Sequence, residues 1–254
     1  MTRYLFVALA FAAGGSCFAA DSVKDFNKTV SINPKGRVYV DTYKGLVRVT
    51  TWDQPKVDIQ VRIEPDGWGM NDRDLVQSTD IEFDAGADSV RMKTRYPKQN
   101  YNWFGGNWSL PVVRYSIRMP RTAELRIKDY KSEIDVDGLS AALQIDTYKG
   151  DVRVRRQDGG VNVKTYKSDA SISFARFSDR SSFETYRGEY DISLPRDSRF
   201  ELSSDVGRRA SVDTSFQLLM PAGSSRDRKT FRATVNGGGP ALSLRGYRGT
   251  FRIR

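Results

Sequence analysis

Apolar and polar residues alternate along most of this chain, and short turn sequences separate the alternating segments. In residues 145–154, Ile145 and Thr147 precede a Tyr-Lys-Gly bend, and Val152 and Val154 follow it. Alternation with a period of two is typical of half-buried β-strands. The inward-facing parity changes across the bend, and Gly150 suits this change because glycine takes positive φ angles without a Cβ clash. This segment therefore predicts two short strands joined by a bend.

Recognisable copies of this segment recur along the chain. Their bends contain Tyr43, Tyr130, Tyr148, Tyr166, Tyr186 and Tyr247. From Tyr130 to Tyr186, consecutive copies lie 18, 18 and 20 residues apart. A fixed period near 20 residues indicates a repeat architecture, in which each unit completes its core by stacking on its neighbours. Because no stretch shows sustained helical periodicity, the sequence predicts an all-β fold.

Two all-β architectures fit the repeat. We predict a β-solenoid-like stack in which each ~18–20-residue repeat forms one coil and neighbouring coils lie about 4.8 Å apart. The alternative is a twisted β-sandwich in which the repeats form successive hairpins. The copies align in the same direction around one bend, which favours the solenoid.

The first residues resemble an export signal. Arg3 precedes an apolar run from residue 4 to residue 13, which is shorter than the roughly 20 residues that span a bilayer. Cleavage after Ala19 would remove Cys17 with a signal peptide of residues 1–19 and leave no transmembrane segment in the mature chain. The alternative is a lipoprotein acylated at Cys17, which is disfavoured because Gly14 stands where such signals have a branched aliphatic residue. The predicted location is the periplasm, the cell surface or the medium.

Residues 20–254 are predicted to form a single β-repeat domain. A segment at about 96–111 interrupts the repeats and is rich in aromatic residues, glycine and asparagine, which predicts a long loop at a sheet edge. Aromatic residues on long loops are frequent binding elements. The candidates are Trp103, Phe104 and Trp108, with Tyr101 and with Trp68 from an earlier loop. Alternatively, these side chains cover an open sheet edge.

Composition excludes several kinds of chemistry. The chain contains no histidine, and its one cysteine lies in the predicted signal. Imidazole bases, thiol nucleophiles and Cys/His zinc sites are therefore excluded from the predicted mature protein. Asp135 and Asp137 face one side of a predicted strand and Asp151 could approach them, but outward acidic residues are expected on any solvated repeat. We predict no catalytic residues, no metal and no cofactor.

The formal net charge of the chain is +10, and much of the excess lies from residue 199 onward. Such a surface attracts anionic polymers or lipid headgroups by salt-sensitive steering. At the bends, however, Lys131, Lys149 and Lys167 are each followed two residues later by an acid. This spacing predicts charge balance at the bends and argues against a specific nucleic-acid groove there.

Several motifs resemble those of a bacterial family of unknown function, usually called putative adhesins, that is built from short β-strand repeats. The carrying motifs are Gly36-x-Val-x-Val40, Gly45-x-Val-x-Val49-Thr-Trp-Asp53, Tyr115-Ser-Ile-Arg-Met-Pro120, the bend with Gly150-Asp-Val and Asn236-Gly-Gly-Gly239. The resemblance implies an exported, sheet-stacked envelope protein without an assigned reaction. This chain departs from the family pattern by placing Tyr-Lys or Tyr-Arg at the bends.

The bend tyrosines Tyr130, Tyr148, Tyr166 and Tyr186 predict an exposed aromatic ladder, with Tyr43 and Tyr247 at more distant copies. It is either a binding platform for sugar rings or a cross-strand stack that stabilises the fold by about 0.2–1 kcal/mol per pair. The leading functional hypothesis is an exported, non-enzymatic, adhesin-like module whose partner is an anionic envelope polymer, a glycan or another envelope protein. The alternatives are a secreted glycan-binding protein that uses the aromatic loop or the ladder, and a polysaccharide-cleaving enzyme.

Overall fold

The computed structural model describes residues 23–66, 72–97, 109–221 and 229–254. These residues form seventeen β-strands and one short α-helix, α1 (Asp72–Ser78). The first nine strands are β1 (Lys24–Ser31), β2 (Arg37–Asp41), β3 (Lys44–Trp52), β4 (Lys56–Glu64), β5 (Asp80–Ala85), β6 (Ser89–Arg95), β7 (Val112–Pro120), β8 (Glu124–Lys128) and β9 (Lys131–Asp137). The other eight are β10 (Leu143–Lys149), β11 (Val152–Gln157), β12 (Val161–Lys167), β13 (Ala170–Phe174), β14 (Ser181–Ser193), β15 (Phe200–Thr214), β16 (Thr230–Val235) and β17 (Ala241–Ile253).

The alternation in the sequence corresponds to an alternation in burial. In β4, Val57, Ile59, Val61 and Ile63 are at most 1% exposed, whereas Gln60 between them faces solvent. The inward residues of the strands form one continuous apolar core. The prediction of an all-β fold is confirmed.

Equivalent strands of successive copies pair in parallel and in register. The strands before the bends form one row, in which Ile145 of β10 lies between Ile127 of β8 and Val163 of β12. The strands after the bends form a second row, in which β11 pairs with β9 and β13. In β14 and β17, the two strands of a copy are continuous, so each of these strands belongs to both rows.

The spatial order of the strands departs from their order in the chain. β2 pairs with β6 and β8, and β3 pairs with β7 and β9, so the first copy lies between later ones. β17 pairs with β14 on one side and with β15 on the other, so the last copy lies between two strands that precede it in the chain. Antiparallel pairs complete the periphery: β4 with β1 and β7, β5 with β6, and β16 with β15.

The alternative prediction, a β-sandwich, is wrong. A sandwich consists of two separately paired sheets that pack face to face. Here all seventeen described strands belong to a single hydrogen-bonded sheet. The alternation of apolar residues is the same in both arrangements, so it could not distinguish them.

The predicted β-solenoid-like stack is also wrong, because the strand pairings close on themselves. Six parallel strands form a ring in the order β9, β10, β12, β14, β13, β11 and back to β9. The ring closes where Lys149 of β10 pairs with Lys131 of β9, and where β14 continues through both rows. The core is therefore a closed barrel of six parallel strands with the other strands outside it. The repeat period identifies which strands are equivalent. It gives no information on whether the row of strands before the bends pairs with the row of strands after them.

The glycines of the bends have the conformation expected from the sequence. Gly150 has a φ of 106° and Gly249 a φ of 115°. A Cβ atom at Gly150 would lie 2.0 Å from the carbonyl oxygen of Ser132 in the neighbouring copy. Glycine is therefore required here both for its φ angle and for the close approach of the backbones.

Two segments singled out in the sequence lie outside the described residues. They are the predicted signal peptide, residues 1–19, and residues 98–108 of the predicted aromatic loop. Among the residues that the structure does describe, no helix combines the length and the apolar character needed to cross a membrane.

Candidate functional site

Six tyrosine rings form a continuous stack along the protein surface. The centroids of Tyr43 and Tyr130 lie 4.6 Å apart, with ring planes only 6° apart. The next steps, Tyr130–Tyr148, Tyr148–Tyr166, Tyr166–Tyr186 and Tyr186–Tyr247, measure 4.8, 4.7, 4.8 and 5.0 Å. These steps equal the spacing of neighbouring strands, so pairing in register brings the rings together over about 24 Å. We call these six residues the tyrosine stack.

The stack exposes ring edges and hydroxyl groups rather than ring faces. Each inner ring has a parallel neighbour on both faces, while Tyr130, Tyr166 and Tyr186 remain 37–40% exposed. A sugar ring stacks on a free aromatic face, and the inner rings offer none. A ligand of this surface would therefore contact the ring edges and the phenol hydroxyl groups.

The two ends of the stack differ. At one end, the ring of Tyr96 meets Tyr43 edge-on, with centroids 6.0 Å apart and an angle of 73°. At the other end, Tyr247 is 50% exposed, and Gly207 of the next strand has no side chain to continue the stack. The stack ends here because the repeat itself loses its tyrosine.

Buried hydroxyl groups lie directly beneath the stack. Thr165 shares hydrogen bonds of 3.0 Å with Thr185 and 2.8 Å with the hydroxyl of Tyr190. Farther along, the hydroxyl groups of Thr94 and Tyr115 lie 2.7 Å apart. Burial raises the pKa of Tyr115 and Tyr190, so both phenols stay protonated. These bonds fix the bends that carry the exposed rings.

One bend has an acid in place of the usual threonine. Asp129 is 8% exposed and accepts hydrogen bonds from the backbone N–H and hydroxyl of Ser132 and from the hydroxyl of Thr147. Burial raises the pKa of Asp129 above its ordinary value, and these hydrogen bonds oppose the increase. The carboxyl group is enclosed by protein donors, so its role is in the bend and not on the surface.

A groove of about 620 Å³ runs beside the stack. Its walls include Tyr148, Tyr166, Tyr186 and Tyr247, and its far side carries charged residues such as Glu184. The groove follows the direction of the stack across several strands. Its shape suits an elongated ligand better than a compact one.

A row of charges of alternating sign borders the groove, and we call it the alternating row. Its members lie on paired strands in the order Glu82, Lys93, Asp41, Lys128, Asp146, Lys164, Glu184, Arg245, Asp205. Ion pairs join neighbours within it, for example Lys164 to Glu184 at 3.3 Å and Arg245 to Glu184 at 3.6 Å. Opposite charges that face each other across strands stabilise a sheet, so the charges of this row balance one another without a ligand.

On the other side of the stack, the residues that follow the tyrosines all have one sign. This cation row consists, in register, of Lys44, Lys131, Lys149, Lys167, Arg187 and Arg248, and it is extended by Arg209, which follows no tyrosine but pairs with Arg248. The ammonium groups of Lys149 and Lys167 lie 5.7 and 5.5 Å from the ring centroids of Tyr148 and Tyr166. Lys44 pairs with Asp66, whose pKa is lowered mainly by the hydrogen bond from Lys44.

The predicted balancing acids form their own row, which we call the acid row: Glu133, Asp151, Asp169 and Glu189. Glu189 pairs with Arg252 at 2.9 Å. Among the described residues, no ion pair joins the acid row to the cation row. The predicted acids are therefore present beside part of the cation row, but among the described residues they form no ion pairs with it.

The candidate catalytic acids are held by arginines. Asp135 lies 2.9 Å from Arg155, and Asp137 lies 2.8 Å from Arg156. Asp151 precedes Val152, which pairs with Ile134, so Asp151 lies beside Glu133. Within the part of the chain that is described, no group of three or more acidic, histidine or cysteine side chains could hold a metal ion.

The structure brings Tyr130, Tyr148, Tyr166 and Tyr186 together, and Tyr43 and Tyr247 from the more distant copies belong to the same stack. Trp68, Tyr101, Trp103, Phe104 and Trp108 lie outside the described residues, so their role stays a prediction. Our reading of the sequence missed the contrast between the alternating row and the cation row. Comparing the residue two positions before each tyrosine with the residue after it could have revealed this contrast.

No family model matches this chain, and no curated protein matches it either. Several solved structures are similar to it. One is described as a putative cell adhesion protein from Clostridium sporogenes, with a TM-score of 0.46, 13% identity and coverage of 91% of this chain and 98% of that one. Another is a putative adhesin from Bacteroides fragilis, with a TM-score of 0.30, 13% identity and coverage of 91% and 97%. A third is a putative lipid binding protein from Parabacteroides distasonis, with a TM-score of 0.28, 11% identity and coverage of 91% and 97%.

Proposed function

We propose that this protein is an exported, non-enzymatic, adhesin-like interaction module of the bacterial cell envelope that binds an extended glycan chain along the tyrosine stack. The observation that carries this proposal is the continuous line of six tyrosine edges beside an open groove of about 620 Å³. Phenol hydroxyl groups both donate and accept hydrogen bonds. A line of them at strand spacing offers a repeated contact to a ligand that itself repeats.

Two observations support the rest of the proposal. Export rests on Arg3 and the apolar run of residues 4–13, which have the pattern of a cleaved signal. The non-enzymatic role is supported by the ion pairs that Asp135 and Asp137 form with Arg155 and Arg156, because these pairs account for both acids as structural charges of the protein surface. The single-domain organisation of residues 20–254 belongs to the same proposal.

Removing the hydroxyl groups while keeping the rings tests this function. We expect the triple variant Tyr148→Phe, Tyr166→Phe, Tyr186→Phe to keep its stacked rings and its melting temperature, and to lose about tenfold or more in affinity for the glycan that the wild-type chain selects on an array. Each lost hydrogen bond removes about 0.5–1.5 kcal/mol. The measurements are glycan-array binding, followed by titration calorimetry on the selected glycan.

Tyr39→Phe is the matched control, because Tyr39 is a half-buried surface tyrosine that does not belong to the stack. Unchanged affinity in the triple variant, or an equal loss in the control, would contradict the proposal. The same array tests the aromatic loop: Trp103→Ala and Trp108→Ala should abolish binding only if the loop, rather than the stack, is the binding element.

A further inference from the structure

The cation row is unusual because neighbouring residues in it repel each other. Lys149 faces Lys167 and Arg187 faces Arg248 across paired strands, and like charges in directly opposite positions destabilise a sheet. The alternating row, three residues away along each of these strands, avoids this repulsion because the sign of the charge changes from each strand to the next. Fold stability therefore accounts for the alternating row and leaves the uniform sign of the cation row unexplained.

The acid row compensates for this repulsion only in part. Its four members accompany only the middle of the cation row, since Arg248 and Arg209 have Thr250 and Ser211 at the corresponding positions. Among the described residues, no carboxylate lies within 4.0 Å of the charged groups of Lys131, Lys149, Lys167, Arg187, Arg248 or Arg209. Five of these cations are exposed, and Arg248 is half-buried.

A hollow of about 480 Å³ lies between the two rows, lined by Lys167, Arg187 and Arg248 of the cation row and by Asp151, Asp169 and Glu189 of the acid row. Arg248 Nε is buried there and has no hydrogen-bond partner in the described chain. An unpaired buried donor is costly to the fold, and because Nε is not exposed to the hollow it adds no contact for a ligand there.

We infer that the cation row binds a single chain of an anionic polysaccharide, with the acidic groups of successive sugars contacting successive cations. This inference rests on the proposed function and specifies its ligand. The row is one residue wide and follows the strand spacing, so it matches a narrow chain that carries a charge on each repeating unit. The tyrosine hydroxyl groups along one side of the row would contact the sugar hydroxyl groups.

The geometry disfavours the two other common polyanions. An anionic membrane is a broad surface, and here the acid row beside the cations would repel it. Single-stranded nucleic acid binds through bases stacked on aromatic faces, and the inner tyrosine faces are covered by one another. A narrow polysaccharide needs no free aromatic face, and it meets fewer of these acids than a membrane because it covers only the width of the cation row.

The test compares two triple variants of the full chain that remove the same charge. The first is Lys149→Gln, Lys167→Gln, Arg187→Gln in the cation row, and the control is Lys93→Gln, Lys128→Gln, Lys164→Gln in the alternating row. The probes are polygalacturonate, neutral dextran, single-stranded DNA and phosphatidylglycerol vesicles, measured by calorimetry at low and high salt.

We expect the wild-type chain to bind polygalacturonate in preference to the other probes, and to bind it more weakly at high salt. The cation-row variant should lose about tenfold or more in affinity, and the control less than about threefold. The melting temperature of the cation-row variant should stay equal or rise, which excludes misfolding as the cause of the loss.

Equal losses in both triple variants would overturn the inference, because binding would then follow net charge alone. Preference for DNA or for vesicles would overturn it in favour of those partners. Binding of dextran that depends on the tyrosine hydroxyl groups and not on the cations would leave the proposed function standing and remove this inference. Binding to no glycan at all would remove both.

Discussion

The hydroxyl of Thr147 donates a 2.8 Å hydrogen bond to Asp129 Oδ2 in the neighbouring copy. Most other bends have a threonine at the position of Asp129. Four other copies have a buried threonine at this position, namely Thr42, Thr147, Thr165 and Thr185, and the last copy has Gly246. The Asp129 carboxyl group lies under the tyrosine stack and couples the stability of the bend to pH.

Asp129→Asn should become more stabilising relative to wild type as the pH rises. Burial raises the folded-state pKa of Asp129, so its contribution to stability is complete below the ordinary aspartate pKa and is lost as the pH rises through the folded pKa. At pH 3, the variant and the wild type should differ by no more than about 1 kcal/mol, since both side chains are neutral. Urea denaturation from pH 3 to pH 8 measures this difference.

Ser132→Ala is the companion variant, because it removes one of the hydrogen bonds to the Asp129 carboxylate. The loss should raise the pKa of Asp129 further and destabilise the protein most above that pKa. A stability difference between wild type and Asp129→Asn that does not change with pH would contradict this account.

Gly150→Ala should destabilise the protein by at least about 2 kcal/mol. The φ of Gly150 is 106°, and the new Cβ would meet the backbone of Ser132 at 2.0 Å. Gly86→Ala is the control, since nothing lies within 4 Å of its added Cβ, and its effect should stay within about 0.5 kcal/mol. Equal denaturation midpoints for the two variants would refute the requirement for glycine at the bend.

Tyr166→Ala should cost about 1–2 kcal/mol of stability, and Tyr247→Ala about half as much. Tyr166 stacks on two rings, whereas Tyr247 stacks on one. A double-mutant cycle should show coupling between Tyr148 and Tyr166 and none between Tyr130 and Tyr186, which are not neighbours in the stack. Coupling of equal size in both cycles would show that the effects do not come from ring contacts.

Lys149→Gln with Lys167→Gln should raise the melting temperature at low salt. The two residues face each other in register, and opposed like charges cost roughly 0.2–1 kcal/mol. High salt should shrink the gain, because it screens the exposed charges. The comparison pair is Lys164→Gln with Glu184→Gln, which breaks a 3.3 Å ion pair and should lower the melting temperature slightly. A fall in both pairs would mean that the cation row stabilises the fold.

Part of the site could be predicted from the sequence because the repeat copies align. The spacing of Tyr130, Tyr148, Tyr166 and Tyr186 was enough to predict a ladder, since parallel strands in register place equivalent residues side by side. Tyr43 and Tyr247 were harder to assign, because their copies lie far away in the chain and join the stack through insertions in the strand order.

The strands, their inward faces and the glycines of the bends can be predicted from the amino-acid sequence, because these features depend on local periodicity and backbone sterics. Three other features require the three-dimensional arrangement: the two rows join into a closed barrel, the tyrosine faces cover one another, and the described acids near the cation row form no ion pair with it. These properties depend on which strands pair and where side-chain ends lie. Neighbouring residues along the chain do not encode those distances.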